Sequence, residues 1–127
     1  MDGEITPDEV KALLEADADV RLVDIRDRRR FEHSRIPGSE NVPFHELANR
    51  VAEFEDDNRV VTVCPHGKDS VRAARLIASA TGTTDVRVQS MAGGLEKYGL
   101  KFGLAAGDEH TATDAGGDAS ADGDAPF

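Results

Sequence analysis

Cysteine is nearly absent from this 127-residue chain: Cys64 stands alone, which excludes an internal disulfide and any Cys-x-x-Cys pair. Whatever Cys64 does, it does without a resolving thiol from its own chain. Tryptophan is missing, tyrosine occurs once and phenylalanine five times, so Val, Ile, Leu and Ala must supply the core, as suits layered α/β packing. No apolar run approaches the roughly 18 residues needed to span a bilayer. The opening MDGEITPDEV lacks the basic flank and apolar stretch of a signal peptide, so a cytoplasmic location is expected. Bases are scarce: 15 against 25 acids, a net charge of −10. That balance argues against sequence-independent binding to nucleic acid or to an anionic membrane, since both need a cationic surface.

The acidity is uneven. Residues 108–127 hold six acids and no Lys or Arg. Their Ala/Gly/Asp/Thr composition has too few apolar side chains to offset the entropy of ordering. The expected organisation is one domain over residues 1–107 and a disordered acidic tail over 108–127. Four Lys against eleven Arg, with abundant Asp, suits either a salt-rich cytoplasm or an ordinary acidic protein with an acidic appendage.

Thr6, Pro7 and Glu9 form a capping box with proline at the first helical position, and Ile5 and Val10 are placed as a hydrophobic staple, predicting a helix over 7–15. A β-branched run predicts a strand over 20–25, with Asp24 at its C-terminal end. One helical turn is expected over 28–33, a loop at Ile36-Pro37-Gly38 and a brief strand at 41–42. Phe44, Leu47, Ala48 and Val51 recur at i, i+3, i+4 and i+7, predicting a helix over 44–55 with one buried face. Val60-Val61-Thr62-Val63 reads as a central strand closed by Cys64, followed by a loop over 65–69 and a helix over 70–80. A strand over 85–89 and a short helix over 94–98 complete the order. Strands alternating with helices imply an α/β fold with a mainly parallel sheet covered on both faces.

Cys64 thus ends a central strand, at the edge where open α/β sheets place their ligands. Backbone N–H groups from His66 through Ser70, with the positive end of the next helix, favour an anion there: a thiolate, a persulfide or a bound oxyanion. Pro65 contributes no N–H, and Gly67 supplies the backbone freedom of a tight ring. The thiolate is the nucleophilic form and helix N-termini favour it, so Cys64 is the candidate reactive group; the alternative is an inert buried cysteine.

Three segments together resemble the rhodanese family. Val23-Asp24-Ile25-Arg26, Phe31-Glu32 and Arg35-Ile36-Pro37-Gly38-Ser39-Glu40-Asn41-Val42-Pro43 are similar to its first signature. Cys64-Pro65-His66-Gly67-Lys68-Asp69-Ser70 is similar to its active-site loop, and Met91-Ala92-Gly93-Gly94-Leu95-Glu96-Lys97-Tyr98 to its closing motif, where Trp is usual at the last position. The resemblance covers roughly residues 5–103. It implies a rhodanese-like domain with a mainly parallel five-stranded sheet and helices on both faces. It also implies catalysis by Cys64 and substrate binding by His66, Gly67, Lys68, Asp69 and Ser70. The Cys64 thiolate then attacks the sulfane sulfur of a donor such as thiosulfate, expels sulfite and passes the persulfide sulfur to cyanide or a thiol. This is covalent, ping-pong chemistry with no metal or organic cofactor.

The chain departs from the family at Asp69, where many active members carry Arg. A carboxylate there opposes a thiolate and repels an anionic donor. Lys68 either restores a cation or stands as a solvated surface lysine, and His66 is placed to face the donor. Asp24 and Arg26 read as structural, with Arg26 pairing with Glu32 or a backbone carbonyl; Arg72 and Arg75 read as a solvated helix face. A cysteine phosphatase needs Arg six residues after the Cys to clamp phosphoryl oxygens, and that position is Ser70. The other reading is a sulfur-relay module that takes sulfur from a protein and passes it to a protein acceptor. His33, His45 and His110 show no ligand spacing, so no metal is expected.

Overall fold

A computed structural model describes residues 1–82 and 85–106 of the chain. The expected tail over 108–127 lies outside the described residues. At the centre is one sheet of β1 (Glu4–Ile5), β2 (Arg21–Asp24), β4 (Glu40–Asn41), β5 (Arg59–Val63) and β6 (Arg87–Met91), in the order β1-β6-β5-β2-β4. Every neighbouring pair is parallel, giving the expected five-stranded sheet. A separate antiparallel ribbon pairs β3 (Ser34–Arg35) with β7 (Ala105–Ala106).

Parallel neighbours need crossovers, and here these hold α1 (Pro7–Glu15), α2 (Arg28–His33), α3 (Phe44–Leu47), a 3-10 turn (Val51–Phe54) and α4 (Asp69–Ala80), while α5 (Gly94–Phe102) follows the last strand of the sheet, β6. The two-residue period of β5 sorts its side chains between two cores. Val60 and Cys64 pack with Leu47, Phe54, Ala73 and Ile77, under α3, the 3-10 turn and α4. Val61 and Val63 pack on the opposite face with Val10, Leu95 and Tyr98, under α1 and α5. Burying each such side chain contributes roughly 1.5–3 kcal/mol, which makes both helical layers necessary to the sheet. Because the alternation continues past β5, it also sets Cys64 on the α4 face.

α1 starts as its sequence dictates. Thr6 Oγ1 accepts the Glu9 amide at 3.1 Å, and Glu9 Oε1 accepts the Thr6 amide at 2.9 Å. Ile5 and Val10 are both buried in the same core, as the staple requires.

Elsewhere the elements differ from the sequence expectation. The single helix expected over 44–55 is broken into α3 and the 3-10 turn. Asn49 and Arg50 donate to Glu46 and Leu47, bonds of the tighter i to i−3 type, and this winding changes the phase of the helix. Ala48 is exposed as a result, whereas Leu47 and Phe54 are fully buried. β6 begins at Arg87 rather than 85 and runs on to Met91, because Ser90 and Met91 pair with Glu4 and Ile5 of β1. α5 continues to Phe102, beyond the expected end at 98.

Candidate active site at the end of the central strand

β2 and β5 lie side by side, yet the chain leaves β2 toward β4 on one side and leaves β5 toward β6 on the other. The crevice between their carboxyl ends is the topological switch point of the sheet. Ile25, Arg26 and Asp27 enter it after β2, and Cys64, Pro65 and Asp69 after β5. With Arg30 and Phe44 they line a cavity of about 150 Å³.

Cys64 lies within the wall of that cavity, only 2% exposed. The Gly67 amide donates to Sγ at 3.1 Å and the Ser70 amide at 3.3 Å. The thiol donates to Ser70 Oγ at 3.3 Å. α4 has no side-chain cap at Lys68, its N-cap residue, so Cys64 Sγ takes the amide bond that a capping oxygen normally accepts. Ser70 is fully buried and fixed from both ends: its Oγ is 2.7 Å from Ser90 Oγ on β6, and its carbonyl accepts from Thr62 Oγ1 at 2.7 Å.

The loop is held from a second side by α5. Leu95 donates its amide to the Cys64 carbonyl at 2.8 Å, and Glu96 to the Pro65 carbonyl at 3.0 Å. So close an approach requires glycine. Gly94 has φ +65°, and a Cβ there would stand 2.6 Å from the Cys64 carbonyl oxygen and nearer still to that of Pro65. Gly67 has φ +84°, and its Cβ would meet the Gly93 nitrogen at 2.8 Å.

The candidate residues divide accordingly. Gly67 and Ser70 contact the sulfur through their backbones, and Asp69 lines the cavity. The Asp69 carboxylate is exposed, 3.9 Å from Arg72, whose guanidinium also lies 5.2 Å above the Phe44 ring. His66 turns to α5, its Nδ1 3.1 Å from Glu96 Oε1, with both side chains exposed. Lys68 is exposed as well. Neither His66 nor Lys68 is among the residues that line the cavity.

Asp24 and Arg26 form a structural pair. Asp24 is fully buried, and Arg26 grips it through Nε at 3.0 Å and Nη2 at 2.8 Å, with Nη2 also 2.6 Å from the Ser34 carbonyl. The backbone carbonyl is thus the expected partner that is present; Arg26 turns to Asp24 instead of Glu32. Asn41 Nδ2 closes the same corner by donating to the Asp24 and Arg26 carbonyls at 3.0 and 2.9 Å.

Sequence reasoning missed Arg26, Asp27, Arg30 and Phe44 as cavity walls. The only signal for them was that the strand ending at Asp24 had to lie beside the strand ending at Cys64. Among the described residues no group of three His, Cys, Asp or Glu side chains is arranged to hold a metal, and no helix is long and apolar enough to cross a membrane.

Comparison with known proteins agrees with this geometry. The rhodanese-like domain model matches residues 6–101. The thiosulfate sulfurtransferase GlpE of Pseudomonas syringae is 38% identical over 94 residues, covering 74% of this chain and 84% of that protein. A crystal structure of a thiosulfate sulfurtransferase from Pseudomonas aeruginosa is similar with a TM-score of 0.70 and 28% identity, over 84% of this chain but 20% of its own. The human single-domain sulfurtransferase is similar with a TM-score of 0.63 and 26% identity, over 78% of this chain and 96% of its own. The fold, the three sequence segments and these matches place the chain in one family: it belongs to the rhodanese-like proteins.

Proposed function

We propose that this protein is a rhodanese-type sulfurtransferase that carries the sulfane sulfur of thiosulfate as a persulfide on Cys64 and delivers it to cyanide or a thiol. The observation that carries this reading is the setting of the chain's one thiol. Sγ accepts two backbone amides at 3.1 and 3.3 Å, at the start of a helix and in the wall of a small cavity. Fixed N–H dipoles aimed at one point stabilise negative charge on the sulfur without reorganising during reaction.

In the first half-reaction the Cys64 thiolate attacks the outer sulfur of thiosulfate. The S–S bond of the donor breaks, its electron pair leaves with sulfite, and Cys64 retains the transferred sulfur. In the second, cyanide attacks that sulfur, thiocyanate departs, and the electron pair of the Cys64 S–S bond returns to Sγ. The loop from His66 to Ser70 surrounds the donor in this reading, Gly67 and Ser70 through their amides. Asp69 lines the cavity together with Arg26, Asp27 and Arg30. No cofactor takes part in either step.

Intact mass after incubation with thiosulfate, with thiocyanate release on adding cyanide, tests the reading. The native chain gains one sulfur and turns over, and Cys64→Ser does neither. Transfer by Cys64→Ser would sink the assignment. A mass gain without thiocyanate release would favour instead a carrier whose acceptor is a protein.

A further inference from the structure

A second cavity, of about 380 Å³, adjoins the first and is lined by Arg26, Arg29, Arg30, His33 and Ser34. Arg26 and Arg30 belong to both, so the two hollows share that wall, and Cys64 lines the smaller one. Among the described residues, no carboxylate lines the larger part. In a chain of net charge −10, this concentration of guanidinium groups stands against the general field.

The arginines of this corner have different commitments. Arg26 is held inward by Asp24 and the Ser34 carbonyl. Arg28 faces Glu46 at 3.7 Å, and Arg30 faces Asp27 at 3.6 Å, both distances beyond direct hydrogen bonding. Arg29 is exposed and has neither hydrogen bond nor ion pair with any described residue. An exposed guanidinium over a cationic hollow beside a reactive sulfur is suited to a planar anion, and carboxylates match its fork bidentately.

Inorganic thiosulfate does not require this hollow, since the cavity of about 150 Å³ at Cys64 accommodates a small anion by itself. We propose that the Arg29 cavity is a carboxylate subsite for an organic thiol acceptor, holding its carboxylate end while its sulfur reaches Cys64. The inference rests on the Cys64 persulfide reading and names the acceptor class for it. The acceptor thiol loses its proton to solvent, and its thiolate attacks the outer sulfur of the Cys64 persulfide. The Cys64 S–S bond breaks, the electron pair stays on Sγ, and the acceptor leaves as an organic persulfide. No external oxidant or reductant enters.

The test uses the full chain with thiosulfate as donor and glutathione, glutathione diethyl ester or cyanide as acceptor. Arg29→Ala should raise KM for glutathione about fivefold to tenfold, the loss of one charge-assisted pair, with kcat unchanged. Cyanide kinetics should not change, and the diester should behave with the native protein as glutathione does with Arg29→Ala. Added salt should raise the glutathione KM of the native protein more than that of the variant. Equal KM values for glutathione and its diester, or no effect of Arg29→Ala, would overturn the subsite. Titration with S-methylglutathione, which cannot accept sulfur, reads the subsite separately: binding weakened in Arg29→Ala supports it, and no binding or equal binding overturns it. Absence of both the sulfur mass gain and cyanide turnover, with that binding intact, would count against the persulfide reading and leave the subsite standing.

Discussion

The Leu95 amide donates to the Cys64 carbonyl at 2.8 Å while the Ser70 amide donates to the Cys64 sulfur at 3.3 Å. The first turns of two helices, α5 and α4, therefore grip the backbone and the side chain of the same residue. Cys64 accepts from an otherwise unpaired N–H at the start of each helix, so the loop and both helix starts form one cooperative unit.

Gly94 is the position where that unit tolerates least. An added Cβ would press on the Cys64 and Pro65 carbonyls, and φ +65° strains any residue with a side chain. Gly94→Ala should destabilise the protein by roughly 1–3 kcal/mol in urea denaturation and remove most thiocyanate formation. Full activity at native stability would show that α5 does not set the loop.

Asp69 puts a negative charge on the cavity that must admit thiosulfate. Asp69→Arg reverses it and should raise kcat/KM for thiosulfate about threefold to tenfold, the size of a screened charge change a few ångströms away. An unchanged rate would mean that the exposed carboxylate, beside Arg72, is already neutralised or turned from the donor.

Arg26→Ala should cost about 3–5 kcal/mol in stability, because it strands the fully buried Asp24 carboxylate without its counter-charge. Adding Asp24→Asn to that variant removes the stranded charge and should recover part of the loss. Chemical denaturation of the three proteins measures both effects; no recovery would place the cost in lost packing instead.

Glu9 gives a pH signature. Its carboxyl is held below the ordinary range, first by the hydrogen bond from the Thr6 backbone and next by the Thr6 side chain. A group with a lowered folded-state pKa contributes stability above its ordinary value, and loses it as pH falls through the lowered one. Glu9→Gln keeps a capping side chain but does not titrate, so the native protein should lose more stability than this variant between about pH 6 and about pH 3. Parallel acid limbs would exclude the capping box as their source.

The features legible in the sequence are those whose causes lie within a few residues. Thr6, Pro7 and Glu9 specify the start of α1, and Val60 to Ser70 spell out strand, tight loop and helix. β1 was not legible, because two residues carry no periodicity and Glu4 gains its partner only at Ser90. The break after Leu47 was hidden for another reason: a helical face and a 3-10 turn place apolar residues at nearly the same intervals. The cationic side of the site depended on β2 settling against β5, a contact between Asp24 and Val63 that no local pattern encodes.

The near-complete enclosure of Cys64, 2% exposed, has a consequence for how molecules meet it. A disulfide needs two sulfur atoms within about 2.05 Å, and two copies of this fold cannot bring sulfurs sunk below their surfaces to that separation. Oxidation in air should leave the chain unlinked to its twin. A protein thiol that exchanges sulfur here must sit at the tip of a slender projection, whereas small ions enter unaided. The recessed sulfur thus screens callers by girth as well as by charge.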